Sequence, residues 1–429
     1  MKLLEALNKY LFGTCLPPLL LAAGLFFGVR LSFFFFLHPR RTLCRLAGDG
    51  GWRASFRALC VALAGTLGVG NITGVGIALA IGGEGAVFWM VAGGLFASFL
   101  KYAEITLAVD LGRGGHGRGA PDYIATGLGE GYARLFTLLT VALSLSMGSL
   151  LQGNVIAAAA ADTLPIRPIS LGLLLSGTAL LLFLGGQKGV ERLAALCMPI
   201  LTLLYVLAAI TIIFVNITSL PSVLSRILRG AFTPGGAGGG LLGFGAGRAI
   251  RAGIQKGLFS NEAGAGTAPF AHVAARGVPA ARQGIFGVVE VFLDTVVMCS
   301  LTALAVLSVF DPLPNLSGTA LIAAAFAGVF GARAPLVISL AIIAFSYATV
   351  ACWVSYGRLA LGQLCTSPHL ATLYALLFSA LLTVGALWQA DGAWALCDIL
   401  LGSMTVINTA ALFKHSAHLQ RLAREYGLT

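Results

Sequence analysis

Gly65-Thr66-Leu67-Gly68-Val69-Gly70-Asn71 stands inside a run that otherwise reads as a plain hydrophobic helix. In the other half of the chain, Phe259-Ser260-Asn261-Glu262-Ala263-Gly264-Ala265-Gly266 interrupts a second such run. Lipid offers no hydrogen bond to exposed backbone, so an interrupted helix at membrane depth survives only where protein or a polar cavity surrounds it. Corresponding interruptions in two halves of a chain point to a midplane site in a secondary transporter.

That reading requires a membrane, and composition supplies it. The 429 residues are 58% hydrophobic and only 10% charged, with a mean hydropathy of +0.92. A soluble domain is about 25% charged, so this chain lacks the polar surface to cover a soluble core of its size. The expected class is an all-α polytopic membrane protein. The formal net charge of +11 would suit nucleic acid, but the basic residues collect in short loops and at the C-terminus, a pattern that fits topology and no nucleic-acid partner. Eight cysteines show no CxxC or Cys/His ligand spacing and read as small buried apolar residues. The histidines avoid the middle of the spans, which gives no transition-metal site. The glycine-rich run at 112–119 lacks the lysine-serine or lysine-threonine ending of a nucleotide-binding loop. Neither an enzyme nor a cofactor is expected.

A bilayer takes about 20 apolar residues per helix. Eleven spans can be marked: 15–37, 57–81, 85–109, 131–160, 169–186, 190–216, 246–270, 282–309, 335–358, 368–388 and 392–413. The first follows no small-residue cleavage site and is read as retained. The seventh is broken by Arg248, Arg251 and Lys256 and rests on its signature and on topology. With the N-terminus outside and the C-terminus in the cytoplasm, sixteen Lys or Arg fall inside: Arg40, Arg41, Arg45, Arg53, Arg57, Arg113, Arg118, Arg134, Lys188, Arg192, Arg276, Arg282, Arg358, Lys414, Arg421 and Arg424. Six fall outside: Lys2, Lys9, Arg167, Arg226, Arg229 and Arg333. Spans two to six (57–216) and seven to eleven (246–413) form two groups of five. Five is odd, so equivalent helices enter from opposite sides, an inverted repeat with each interrupted helix first in its group. The whole chain, 1–429, is then one transport domain, with 15–37 as a peripheral span outside the repeat and 234–240 as a glycine-rich connection.

Around Asn71, Gly68, Gly70, Gly74 and Gly76 remove side chains and let carbonyls and a half-helix N-terminus reach a ligand. Thr66, Asn71 and Thr73 add neutral oxygens suited to a cation; the plainer reading is helix packing through the Gly70/Gly74 spacing. In the second signature, Ser260, Asn261 and Gly264 border the break. Glu262 must be paired or hydrogen-bonded there, as a structural or gating carboxylate or as an ion contact. Glu104 and Asp294 are buried candidates for coupling or a gate, although Lys101 is placed to pair with Glu104 at i,i+3. Gln152 and Asn154 can meet a ligand or bridge helices, Ser346 and Thr349 can offer hydroxyls to sodium, and Asn408 is a weaker candidate.

Several long blocks resemble one family in the correct order: 65–75, Gly82-Gly83-Glu84-Gly85-Ala86-Val87-Phe88-Trp89-Met90, 256–266, Val291-Phe292-Leu293-Asp294-Thr295, and Thr349 with Trp353 and Tyr356-Gly357. The chain is similar to the alanine or glycine:cation symporter family, also called the sodium:alanine symporter family. The resemblance implies a LeuT-like 5+5 inverted repeat with an additional N-terminal helix, and sodium-coupled uptake of alanine or glycine by alternating access. It also implies that the regions of Asn71 and Asn261 border the substrate cavity, that Gln152 contacts substrate, and that Thr349 is a sodium ligand. The expected location is the bacterial inner membrane, with lipid, sodium and the amino acid as partners and no obligatory protein partner. A proton-coupled or weakly coupled carrier and a non-transporting sensor are the alternatives. The family commonly has proline where this chain has Glu84, serine at Ala348, and glutamate where Arg358 follows Tyr356-Gly357. The last two changes bear on the sodium ligands and on the charge of an inner gate.

Overall fold

All regular structure is helical in the computed structural model, which describes residues 8, 10–46, 51–112, 117–161, 163–232, 244–275, 277–388 and 390–428. The glycine-rich run at 234–240 and residues 113–116 of that at 112–119 lie outside the described residues, among them Arg113 and His116, as does Arg276. The chain enters through a π-helical turn, Leu11–Cys15, into α1 (Leu16–Arg30). Ser32 and Phe33 then take φ of 53° and 47°, so the run expected as one helix over 15–37 is divided at this turn. Gly28 permits it, because a Cβ there would lie 2.6 Å from the Phe33 ring.

The first glycine signature breaks its helix. α2 (Trp52–Thr66) ends where Leu67 turns extended, and α3 (Val75–Gly82) continues after a π-helical turn at Gly70–Gly74, bent by 50°. α4 (Gly85–Leu111) follows, then the short α5 (Ala120–Leu128). α6 (Glu130–Leu145) and α7 (Leu151–Ala161) form one span through a π-helical turn at Ser146–Leu150. α8 (Pro168–Val215) is two arms, divided where Gly186 adopts a φ of 64°, and these match the expected fifth and sixth spans. α9 (Leu220–Phe232) is a short amphipathic helix. α10 (Phe244–Asn261) stops at the second signature, and the chain resumes as α11 (Pro269–His272). α12 (Ala280–Val291) and α13 (Ser300–Val309) are one span with a π-helical stretch, Phe292–Cys299, between them. α14 (Gly318–Phe330), α15 (Ala334–Leu364), α16 (Pro368–Leu387), α17 (Ala390–Lys414) and α18 (Ser416–Glu425) complete the chain.

Eight helices among the described residues are long and apolar enough to cross a membrane, or nine with the bent α2–α3 pair. α1, with 15 residues, is shorter, and Arg248, Arg251, Gln255 and Lys256 lower the hydropathy of α10. The protein is therefore an all-α polytopic membrane protein. Hydropathy gave no sign of α5, α9, α14 or α18, because each is too short to span.

α4 is the central post, packed against α10 and α12. Small residues set those distances: a Cβ on Gly253 would sit 2.4 Å from the Ala86 carbonyl oxygen, and one on Gly287 would sit 2.3 Å from Ile105. Such close backbone approach is how helices associate where lipid removes the hydrophobic incentive. The α6–α7 span meets α15 and α16 in the same manner, with Gly148 against Trp353 and Gly385 against the Leu150 carbonyl. At the end of the molecule carrying the α3–α4 turn, α9 packs on α4 and α14 lies over the interrupted helix. Gly85 meets the backbone of Gly230, and Gly76 meets that of Gly318, where an added Cβ would come within 2.2 and 2.4 Å respectively.

Candidate functional site

The two interruptions touch. A Cβ on Gly70 would fall 2.6 Å from the Ser260 Cα, so only glycine lets these backbones meet. Above this contact lies Asp294, placed by the π-helical stretch after α12 and wholly buried. Asn71 Nδ2 donates to the Asp294 Oδ1 and to its backbone carbonyl, both at 2.8 Å, while Asn71 Oδ1 accepts the Gly68 N–H at 2.9 Å. The Ser260 and Thr295 hydroxyls each donate to Asp294 Oδ2 at 2.8 Å. Asn261 joins through Thr295, donating to its hydroxyl at 2.9 Å, and its side-chain Oδ1 accepts the Ala263 N–H. A buried carboxylate held by neutral donors, with no cation paired to it among the described residues, suits a bound cation or an amino group. Gly70, Asn71, Ser260, Asn261 and Asp294 are thus brought into one constellation.

The second interruption is stabilised from its other side. Glu262 holds a φ of 51°, unusual for a residue with a side chain, and accepts the Thr267 hydroxyl at 2.5 Å. Glu104 Oε2 accepts the Gly266 N–H at 3.0 Å and the Asn408 amide at 2.9 Å, and Asn408 also donates to the Gly264 carbonyl. Gly264 has a φ of 89°, and the space where its Cβ would be faces Leu20 and Leu100. Its contribution is therefore backbone geometry, on the side away from Asp294.

Seven other expected residues lie apart from this constellation. The Thr66 hydroxyl donates to Ala62 within its own helix, and Thr73 bonds Thr319 of α14 at 2.9 Å. Thr349 donates to Phe345, yet its oxygen lies 3.4 Å from the Cβ position of Gly68, which places it beside the first break. Gln152 donates to the Met147 carbonyl in the π-helical turn; its amide oxygen and the Ser346 hydroxyl are buried and have no hydrogen-bond partner among the described residues. Asn154 bonds the Gly385 and Trp388 carbonyls and acts as a bridge to α16. Arg358 points away from all of these, exposed, with its guanidinium on the Phe183 carbonyl.

Sequence reasoning missed a buried relay. Lys101 Nζ lies 3.0 Å from Glu290 and 3.9 Å from Glu104. Glu290 meets His272 Nε2 at 3.3 Å, His272 Nδ1 meets the Gln283 amide nitrogen at 2.6 Å, and Ser55 donates to the Gln283 oxygen at 2.8 Å. The Ser55 donation fixes the amide, the amide nitrogen fills Nδ1, and the proton of a neutral His272 sits on Nε2, facing Glu290. The relay ties α2, α4, α11 and α12 into one unit. Gln283, Gly287, Glu290 and Asp294 follow at helical spacing, and that polar and small stripe was the readable signal. A second missed group is the buried pair of Lys256 and Asp398 at 3.4 Å, with the ammonium 4.6 Å from the Trp394 ring centre.

Two further features lie outside the constellation. A cavity of about 130 Å³, lined by Arg57, Val61, Phe270 and Ser355, lies between α2, α11 and α15. At the opposite end, Arg226 of α9 bridges Glu84 at 3.1 Å and Asp311 at 2.8 Å. Burial outweighs the Arg226 charge at Glu84 and holds its carboxyl above the ordinary range, with Asp311 adding to the rise.

Two interrupted helices meeting at a buried polar centre inside a polytopic helical bundle define a secondary transporter. The sodium:alanine symporter family model matches residues 1–428, and the chain belongs to that family. It is 34% identical to an uncharacterized transporter of Haemophilus influenzae, over 96% of this chain and 92% of that one. It is 33% identical to the probable sodium/glutamine symporter GlnT of Bacillus subtilis, over 95% and 86%. It is 31% identical to the sodium/alanine symporter AgcS of Methanococcus maripaludis, over 96% and 93%. Membership makes the chain a sodium-coupled symporter of small amino acids and not an enzyme.

Proposed function

We propose that the protein carries alanine or glycine together with sodium across the bacterial inner membrane by alternating access. The observation that carries this reading is the joining of Asn71, Ser260 and Asp294 across the contact of the two interrupted helices. The Asp294 constellation borders the amino-acid cavity, with Gly70, Asn71, Ser260 and Asn261 around the substrate and the orphaned Gln152 oxygen as a further contact. Gly264 shapes that border through its backbone. Sodium lies by the first break, where Thr349 faces Gly68 and Thr66 adds a hydroxyl; Thr73 acts in closure through Thr319. Glu262 and Glu104 hold the second break, and Asp294 couples the two helices.

The architecture proposed is a LeuT-like pair of five-helix inverted repeats, 57–216 and 246–413, with eleven spans in all. The N-terminus lies outside and the C-terminus in the cytoplasm, as the excess of basic residues favours. The Arg226 bridge and α14 then close the outer side, and the cavity by Arg57 opens to the cytoplasm. A membrane potential contributes about 2.3 kcal/mol per elementary charge per 100 mV, which makes sodium entry an effective drive.

Uptake of labelled alanine and glycine into proteoliposomes, with sodium and proton gradients imposed separately, tests the reading. Sodium-driven accumulation is expected; accumulation under a proton gradient alone would replace sodium, and binding without flux would make the protein a sensor. Asn261→Ala is expected to abolish most transport while membrane insertion persists. Thr349→Ala is expected chiefly to raise the sodium concentration needed, and an unchanged sodium response would leave its hydroxyl structural.

A further inference from the structure

A groove of about 550 Å³ lies on the outer surface of the bundle, lined by α8, α15, α16 and the turn between the last two. One wall is Leu180, Phe183 and Leu184 of α8; the other is Leu361 and Gly362 of α15 with Leu376 of α16. Leu184 is 84% exposed, and Leu181 and Leu376 are exposed beside it, so this side faces the acyl chains of the bilayer. Arg358 lines the groove. Its position, six residues before the end of α15, is about 9 Å from the helix terminus at the rise of an α-helix, close to headgroup depth.

The charge there is unspent. Arg358 makes one hydrogen bond, at 3.0 Å to the Phe183 carbonyl, and no carboxylate pairs with it among the described residues. The guanidinium has five N–H donors, and four have no partner among the described residues. Thr366 and Ser367 line the same groove, and Ser367 begins α16 without a side-chain capping bond, so the positive end of that helix adds to the Arg358 charge. An apolar slot with a cation at headgroup depth matches a lipid that is itself apolar along its length and anionic at its head.

We propose that this groove binds an anionic glycerophospholipid of the cytoplasmic leaflet, its phosphate on Arg358 and an acyl chain between α8 and α16. The leaflet follows from the orientation proposed above; the ligand class follows from the groove alone. The inner leaflet is where anionic lipids meet basic pockets between helices.

Purified protein titrated with phosphatidylglycerol, read by native mass spectrometry and by melting temperature, tests the site. Retained adducts and a raised melting temperature are expected, with phosphatidylethanolamine of the same chains giving less of both. Arg358→Gln should weaken phosphatidylglycerol retention about fivefold, the effect of one basic residue near a membrane surface. Arg358→Lys should keep part of it. Gly362→Phe fills the groove without touching the charge, because a Cβ at Gly362 meets nothing within 4 Å, and should also lower retention. Equal retention by Arg358→Gln or by Gly362→Phe, equal binding of phosphatidylethanolamine, stabilisation by inorganic phosphate alone, or occupation of the groove by a second copy of the chain in cross-linking would each overturn the proposal. Sodium-driven uptake need not change, so the lipid site and the transport reading fail separately.

Discussion

The first interruption spans three residues, 67–69, and the second spans seven, 262–268. The short one is stitched by neutral groups: Asn71 closes onto Gly68 and onto Asp294. The long one leaves more backbone without helical partners and takes ionisable neighbours: Glu104 accepts the Gly266 N–H, and Glu262 accepts the Thr267 hydroxyl. Both breaks occupy their own polar side chains, but Asn71 spends its amide on joining the first break to Asp294, whereas the Glu262 carboxylate stays within the second. Charge near the second break is therefore first a structural matter, and charge at Asp294, between the two, is the one proposed to act in transport.

The largest effect expected from breaking this comparison is at their contact. Gly70→Val drives a side chain into the Ser260 backbone, and uptake should vanish with a clear fall in melting temperature, since overpacking costs about 1–3 kcal/mol even in forgiving cores. Gly264→Ala meets only Leu20 and Leu100 at 3.3 Å and is expected to cost about 1–2 kcal/mol for its left-handed backbone, with transport reduced but measurable. Similar losses from both would erase the distinction between a ligand-side and a scaffold-side glycine.

Next comes Asp294→Asn, which turns one acceptor into a donor facing other donors. An unsatisfied buried group costs about 1–3 kcal/mol, so uptake should fall at least about tenfold. Glu104→Gln keeps an oxygen for the Gly266 N–H and leaves Lys101 paired with Glu290, so a loss of a few-fold with the sodium dependence unaltered is expected. A shifted sodium dependence in that variant would move Glu104 from scaffold to coupling.

The smallest effect concerns Glu84. Its carboxyl binds a proton more tightly when Arg226 closes over it than when exposed, because burial outweighs the Arg226 charge. Linkage then gives the sign: acidification from above the raised value to below the ordinary carboxylate range of about 4.3 favours the closed end. A cysteine at Thr319, in a background without the native thiols, should label more slowly at acid pH, and Glu84→Gln should remove that dependence. Faster labelling at acid pH would show that the ion pair, not burial, governs Glu84.

Both interruptions were readable because glycine density and buried amides are local signals. So was the long kinked α8, since Gly185-Gly186 and Lys188 separate its apolar arms. The partners of Asp294 were not readable: Asn71 is 223 residues away, and that pairing depends on which faces of two helices meet. The Lys101–Glu290–His272 relay was overlooked for the same reason, although its stripe on α12 is regular. Arg358 shows the limit from the other direction. Its place near the end of α15 was legible, but the rotation of that helix turns it outward to Phe183, away from an inner gate.

The meeting of Gly85 with Gly230 has a mechanical consequence. Backbone rests on backbone there, with an added Cβ coming within 2.2 Å. No rotamer can loosen such a seam by degrees. It parts only when α9 leaves α4 as a body, so in the proposed cycle the outer side would be shut or open with little between. A single methyl at Gly85 would act as a wedge, turning a one-carbon change into a means of trapping the carrier with that side ajar.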